Sequence, residues 1–495
     1  MRLKWRKPAA LVIGFAMGAS LLPEAAYANE EDGLSTGEQA KSIVETFGKG
    51  GDGGSYLTTS DGRQVILRGL NTHGSTKVAK DCMPEYYETD IARERSELSS
   101  NAVRLLMQWR CVEPEPGVYD DTYLDRVENL VNTYNSHGMT VLLDMHQDLY
   151  GPGVADIPGV GNGAPAWATY TDGLPVNKHD NWAMYYLEKG VIRAFDNFWN
   201  HTGKHPELMD HYAKMWAHVA HRFAHHPGVF GYDLMNEPFA GKSFPATLEQ
   251  GPLADLYRRV INAIRETDND TWIFLEPVAL GANQGLGTNL PYIPDPRRGR
   301  PKIGYAPHMY MLGTEEGGMP QWSALAIKGA MRLWQANVRQ QAKDLSPDGT
   351  TVPIVVGEYG LNTDKPGGLE YVKYAQWRLG MMGASTFYYS SDRGQWGPWD
   401  ENGQNRNTHD LLATCYATVV GGFLDSQEPL ADGCGIYFER GDGRNTEIQV
   451  PWASKIDDIR VEGATIVGFS PEEKILTINT GTFAQYKEVW VKRAK

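Results

Sequence analysis

Eight short runs of apolar and β-branched residues, with amphipathic helical stretches between them, constrain this chain more than anything else in it. The runs are Val65–Leu67, Ala102–Met107, Thr140–Asp144, Phe230–Met235, Trp272–Glu276, Ile303–Tyr305, Pro353–Val356 and Ser385–Tyr389. Helical patterns such as Tyr123–Ser136, Pro206–Phe223 and Leu253–Glu266 lie between them. A strand with no polar face must be covered on both sides, the condition of a parallel sheet flanked by helices. Eight such units predict an α/β chain built on a (β/α)8 TIM barrel, here over residues 55–422. Beyond it, short alternating strands are separated by turns: Gly435–Glu439, Thr446–Val450, Asp458–Val461, Lys474–Asn479 and Glu488–Val491. They predict a small antiparallel β-sandwich domain over 423–495.

The first 54 residues do not follow this pattern. Arg2, Lys4, Arg6 and Lys7 precede an apolar core, Leu11 to Leu22, and a small-x-small site, Ala26-Tyr27-Ala28. Residues 1–28 therefore read as a signal peptide, too short for a stable anchor of about 20 apolar residues, and a secreted protein is expected. Residues 29–54, acidic and then Gly-rich, read as a flexible linker. The formal net charge is −14, and losing the leader makes the remainder more acidic. Nucleic acid and anionic membranes demand basic patches, so neither is expected as the main partner, whereas contact with a neutral membrane or micelle surface stays open. A monomer is expected. The cysteines are Cys82, Cys111, Cys415 and Cys434. In an exported chain they are expected to pair by proximity, Cys82 with Cys111 and Cys415 with Cys434, among three connectivities. No Cys-x-x-Cys pattern supports a zinc ribbon, His225-His226 reads as a surface helix end, and no metal or cofactor is expected.

Active groups of such barrels sit at the C-terminal ends of the strands. Polar residues gather there: Asn71, Arg104, Asp144, His146, Asp148, Asn236, Glu237, His308, Tyr310, Glu358 and Tyr389. Glu237, in Asn236-Glu237-Pro238, and Glu358, in Gly357-Glu358-Tyr359-Gly360, end the fourth and seventh runs, which face each other across a barrel mouth. A retaining glycosidase needs such a pair: a protonated acid and an ionised nucleophile about 5–5.5 Å apart. Glu237 is the expected acid/base and Glu358 the nucleophile. Tyr310 and Arg104 are expected to keep Glu358 ionised, and His308 to support the pair. Asn236 is placed to reach a sugar 2-hydroxyl. The long connection from Leu149 to about Asn200, rich in Gly, Pro and aromatics, reads as a cleft wall. Gly33-Leu34-Ser35-Thr36-Gly37 matches an esterase nucleophile elbow but has no strand before it.

These residues resemble glycoside hydrolase family 5. Longer stretches resemble its endoglycoceramidases: Leu143-Asp144-Met145-His146-Gln147-Asp148, the segments 161–170 and 193–199, Asp233 to Phe239, Asn283-Gln284-Gly285-Leu286 and Ser390-Ser391-Asp392. The resemblance implies an enzyme that cleaves the β-glucosidic bond between the oligosaccharide and ceramide of a glycosphingolipid and releases both intact. It implies sugar contacts for Lys77, His146, Asp148, Trp182, Asn236, Gln284 and Tyr310, and no cofactor. One departure stands out: the family pattern has tryptophan at the end of strand eight, where this chain has Tyr389. Tyrosine stacks on a sugar with less area, which bears on the preferred glycan. Other readings are a glucosylceramidase, steryl-glucosidase or endo-β-glucanase on the same barrel, or a non-catalytic glycolipid-binding protein.

Overall fold

The computed structural model describes residues 55–157, 159–394 and 396–494. The expected leader, linker and Gly33–Gly37 motif lie outside the described residues. Eight parallel strands form the barrel: β1 (Arg68–Asn71), β2 (Ala102–Met107), β3 (Thr140–Met145), β4 (Val229–Asp233), β5 (Trp272–Leu275), β6 (Ile303–Tyr305), β7 (Val355–Tyr359) and β8 (Ser385–Tyr388). From β1 to β6 each pairs with its neighbour in sequence, β7 pairs with β8, and β8 returns to β1 through Thr386↔Arg68. The helices predicted from periodicity are present as Asp121–Ser136, Leu208–Phe223 and Ala254–Arg265. Asp120 caps the first of them, its side chain accepting from Tyr123 N–H at 3.0 Å. No helix among the described residues is long and apolar enough to cross a membrane.

Strand six comes in two pieces, and the break positions the site. Its first piece, β6, pairs with β5 and touches Ile354 through Tyr305. Ala306-Pro307 interrupts the ladder, because proline has no N–H to give. His308–Met309 then pair with β7, setting His308 directly beside Glu358 in the register. Below this level the barrel is filled by Leu142, Phe230, Trp272, Phe274, Val355 and Phe387. Phe274 fits because Gly231 and Gly304 lack side chains: a Cβ on either would lie 2.7 Å or 2.4 Å from its ring.

Two boundaries differ from the sequence expectation. The first barrel strand is Arg68–Asn71, whereas Gln64–Val65 pair antiparallel with Tyr416–Val420. The run Val65–Leu67 is apolar throughout because the chain crosses between two cores there. Val65 and Leu67 pack under the barrel, and Ile66 packs into the second core. Tyr416–Val420, inside the span 55–422 expected for the barrel, belong to the same second sheet, so the sandwich starts before residue 423 and borrows a strand from the N-terminal side. One sheet runs Gln64–Val65, Tyr416–Val420, Asn445–Gln449, Ile475–Asn479, Thr465–Ser470. The other runs Phe423–Leu430, Gly433–Asp442, Lys487–Arg493, Ile459–Glu462. Ile436, Phe438, Ile448, Leu476, Ile478 and Val489 form its core. Both disulfides follow the proximity pairing, Cys82–Cys111 and Cys415–Cys434.

Candidate active site

Arg104 is the organising residue. It projects from β2 into the barrel above the apolar filling and is fully buried. Its Nε donates to Asp233 Oδ2 at 3.0 Å, and its Nη1 to Asn71 Oδ1 at 2.9 Å and Glu358 Oε1 at 2.8 Å. Its Nη2 donates to Asn236 Oδ1 and Glu276 Oε1, both at 3.0 Å, and lies 2.9 Å from Asp144 Oδ1. A buried guanidinium is tolerable only with such pairing. Burial works against its charge, and Asp144, Asp233, Glu358 and Glu276 more than offset that.

Glu358 ends β7. Besides Arg104 on Oε1, its Oε2 accepts the Tyr310 hydroxyl at 2.9 Å. Burial alone would raise its carboxyl. His308 and Arg104, then His146 and Lys77, reverse this and hold it below the ordinary glutamate range. Glu237 lies beyond the end of β4 with φ +45°. That left-handed conformation costs a non-glycine residue about 1–3 kcal/mol unless the surroundings enforce it. The enforcement is visible: Glu237 N–H donates to Glu276 Oε2 at 2.8 Å. Its Oε1 accepts from Asn283 Nδ2 at 2.7 Å and pairs with His308 Nδ1 at 2.9 Å. One carboxylate oxygen of Glu237 and one of Glu358 lie within 4.8 Å of each other, with His308 between them. His308 Nδ1 is 3.9 Å from Glu358 Oε2, and its Nε2 is 3.3 Å from Glu276 Oε1. Burial lowers the imidazole, but Glu276, Glu358 and the bond to Glu237 raise it well above its ordinary value.

A second polar string lines the other side of the mouth. His146 Nδ1 lies 2.7 Å from Asp144 Oδ2 and its Nε2 3.3 Å from Asp148 Oδ2. Asp148 also meets Lys77 Nζ at 3.0 Å and accepts from Asn162 Nδ2 at 2.8 Å. Burial would raise Asp148, but Lys77 and His146 hold it well below the carboxylate range. The Lys77 ammonium sits 4.8 Å above the Tyr389 ring.

The expected residues are thus brought together, with two differences. Gln284 turns its Oε1 back to accept Gly281 N–H at 2.7 Å, and its neighbour Asn283 is the one that reaches Glu237. Trp182 stands on the wall, 39% exposed, edge-on to Tyr186 at 5.4 Å. Sequence reasoning did not select Glu276, Asn283, Asp233 or Glu315. The signal that found Glu237 and Glu358, a carboxylate ending an apolar run, also marks Glu276. Glu315, on the short helix Thr314–Gly317, shares the mouth: partial burial and then the charge of Glu237 push its carboxyl up to about 7.

Two groups, Asp233-Glu276-His308 and Glu237-His308-Glu358, have donor atoms close enough for a cation. They share His308, which Glu276 and Glu358 draw toward its charged form, and a charged imidazole has no lone pair to give. The donor set suits a proton network better than an ion.

The family Cellulase (glycosyl hydrolase family 5) matches residues 58–400. Endoglycoceramidase I of Rhodococcus hoagii is 30% identical over 322 residues, covering 62% of this chain and 61% of that protein. Endoglycoceramidase of Cyanea nozakii is 30% identical over 256 residues, covering 45% and 49%. The chain therefore spans about half to three-fifths of these curated relatives. Among solved structures, endo-glycoceramidase II from Rhodococcus sp., in complex with ganglioside GM3, is 43% identical with a TM-score of 0.83, covering 89% of this chain and 100% of that one. The same Rhodococcus enzyme has been solved as a lactosyl-enzyme intermediate, 44% identical with a TM-score of 0.81, covering 89% and 100%.

Proposed function

The chain belongs to glycosyl hydrolase family 5, and from that premise we propose that it is a secreted, retaining endoglycoceramidase. Its reaction is hydrolysis of the β-glucosidic bond between glycan and ceramide in a glycosphingolipid. One observation carries the mechanism: one oxygen of Glu237 and one of Glu358 lie within 4.8 Å. That approach is closer than the separation of about 6.5–9.5 Å between the carboxyls of an inverting enzyme, and it suits direct attack by one of them.

Glu358 is the attacking carboxylate, its Oε1 held by Arg104 and its Oε2 by Tyr310. It bonds to the anomeric carbon as the bond to the ceramide oxygen breaks, and Glu237 gives that oxygen its proton. Both hydrogen bonds to Glu237 fall on Oε1, so the transferable proton is on Oε2. In the second step water bonds to the anomeric carbon, the bond to Glu358 breaks, and the proton of the water returns to Glu237.

The two sides of the mouth suit an amphiphile. Lys77, His146, Asp148 and Tyr389 face a glycan with charge and hydroxyl donors. The segments after β4 and strand six carry Phe244, Leu312 and, at the start of the helix Gln321–Asp344, Trp322 and Leu325, each more than four-fifths exposed. Side chains of this kind suit a ceramide and the micelle or membrane surface that carries it. Export rests on the leader pattern and is consistent with the two disulfides. Product mass analysis after incubation with a mixed ganglioside and neutral glycolipid pool tests the reading. Intact ceramide and intact free oligosaccharide are expected. Stepwise release of single sugars, or no release of ceramide, would overturn it.

A further inference from the structure

Glu276 touches every part of the acid/base apparatus without facing the substrate. Its Oε2 accepts the N–H of Glu237, the residue held at φ +45°. Its Oε1 accepts from Arg104 Nη2 at 3.0 Å and lies 3.3 Å from His308 Nε2. His308 in turn bridges to Glu237 Oε1 through Nδ1 at 2.9 Å. One carboxylate thus bonds the catalytic acid at its backbone and stands at ion-pair distance from the imidazole that bonds its side chain. We propose that Glu276 is a positioning residue that aims Glu237 and keeps His308 an imidazolium, so that the proton for the leaving oxygen stays on Glu237 Oε2.

The groups facing His308 are Glu237 and Glu276, with Glu358 at 3.9 Å, Asp233 in the same cluster, and Tyr310 at right angles to its ring. Those facing Glu276 are Arg104, His308 and the acids Asp144 and Asp233. Burial lowers His308, and Glu276 is foremost among the groups that raise it. Burial raises Glu276, against His308 and Arg104, and Asp233 is pushed well above its ordinary value by burial and by Glu276. A neutral His308 would have one N–H for two carboxylates. With that N–H on Nε2, Glu237 Oε1 would keep only Asn283 as a donor, and the proton on Glu237 would be held less firmly to Oε2.

The inference rests on the retaining mechanism proposed above, and the test separates the two. Wild-type enzyme and Glu276→Gln are compared on a glycosphingolipid, whose alkoxide leaving group needs the acid, and on an aryl lactoside with an acidic phenol, which does not. In Glu276→Gln we expect kcat/KM to fall more than about 30-fold on the glycolipid and less than about 3-fold on the aryl glycoside. The alkaline limb on the glycolipid should move to lower pH, because His308 loses its strongest charge partner and deprotonates earlier. Glu276→Asp keeps the charge and should restore the wild-type limb. Equal losses on both substrates with an unmoved limb, or no loss, would overturn the role. Should Glu276→Gln not fold, nitrogen-15 NMR of wild-type His308, assigned with His308→Asn, decides: an imidazolium at pH 8 is expected and a neutral ring contradicts the proposal. If wild type cleaves neither substrate, the function itself falls instead.

Discussion

Tyr310 and Tyr389 illustrate how single side chains set reactivity and preference separately. Tyr310 donates to Glu358 Oε2 at 2.9 Å. Hydrogen bonds to charged groups contribute about 1.5–3 kcal/mol, so Tyr310→Phe should lower kcat/KM by roughly 10- to 100-fold. The bond favours the ionised carboxyl, and losing it should move the acid limb of the pH profile to higher pH. An unmoved acid limb would contradict that role. Tyr389 instead presents its ring face to the Lys77 ammonium at 4.8 Å. Tyr389→Trp changes the ring that Lys77 and the sugar meet and should change the ranking of glycolipids by several-fold. An unchanged ranking would show that this position does not read the sugar. Lys77 was legible in the sequence only through family resemblance, whereas Tyr389 was legible as a strand-end residue and drew its sugar-stacking role from the resemblance. Glu237 and Glu358 were legible from chemistry, as carboxylates ending apolar runs. Glu276 carried the same mark, but nothing along the chain tells which strand-end carboxylate faces the substrate and which faces its neighbours.

The elements were legible to the extent that one core owns each of them. Helices with a continuous apolar stripe, such as Leu208–Phe223, were found to within two residues. The first strand was displaced because residues 65–67 serve two cores, and hydrophobicity does not record which. The split in strand six was equally hidden, although Pro307 is its cause. The loop from His73 to Tyr87 carries Lys77 and is fastened by Cys82–Cys111, with Arg110 Nη2 donating to Ala79 O at 2.6 Å. The Cys82→Ser, Cys111→Ser double variant should therefore raise KM for the glycolipid more than it lowers kcat. It should also lose about 2–4 kcal/mol of stability in chemical denaturation. A fall in kcat with KM unchanged would argue that the loop does not position Lys77.

At the scale of the whole molecule, the barrel concentrates four buried acids around one arginine and one histidine. This has a consequence for stability. The Asp233 carboxyl is pushed well above its ordinary value, first by burial and then by Glu276. The unfolded chain releases that proton near pH 4, while the folded protein keeps it, so stability falls with rising pH until the folded group ionises. Asp233→Asn keeps an acceptor for Arg104 Nε and removes this slope. Its melting temperature should match or exceed wild type at pH 8 and gain less at pH 4. A loss of several degrees at pH 8 would mean that Asp233 is ionised in the folded state.

In the proposed reaction Glu358 forms a covalent bond to the sugar, and Glu237 serves the leaving group and the water. Glu358→Gly tests it most directly, assayed on an activated β-lactosyl donor with and without azide. Hydrolysis should be lost, and azide, filling the space of the missing carboxylate, should yield a lactosyl azide of inverted configuration. Retained hydrolysis in Glu358→Gly, or an azide product of retained configuration, would contradict the assignment.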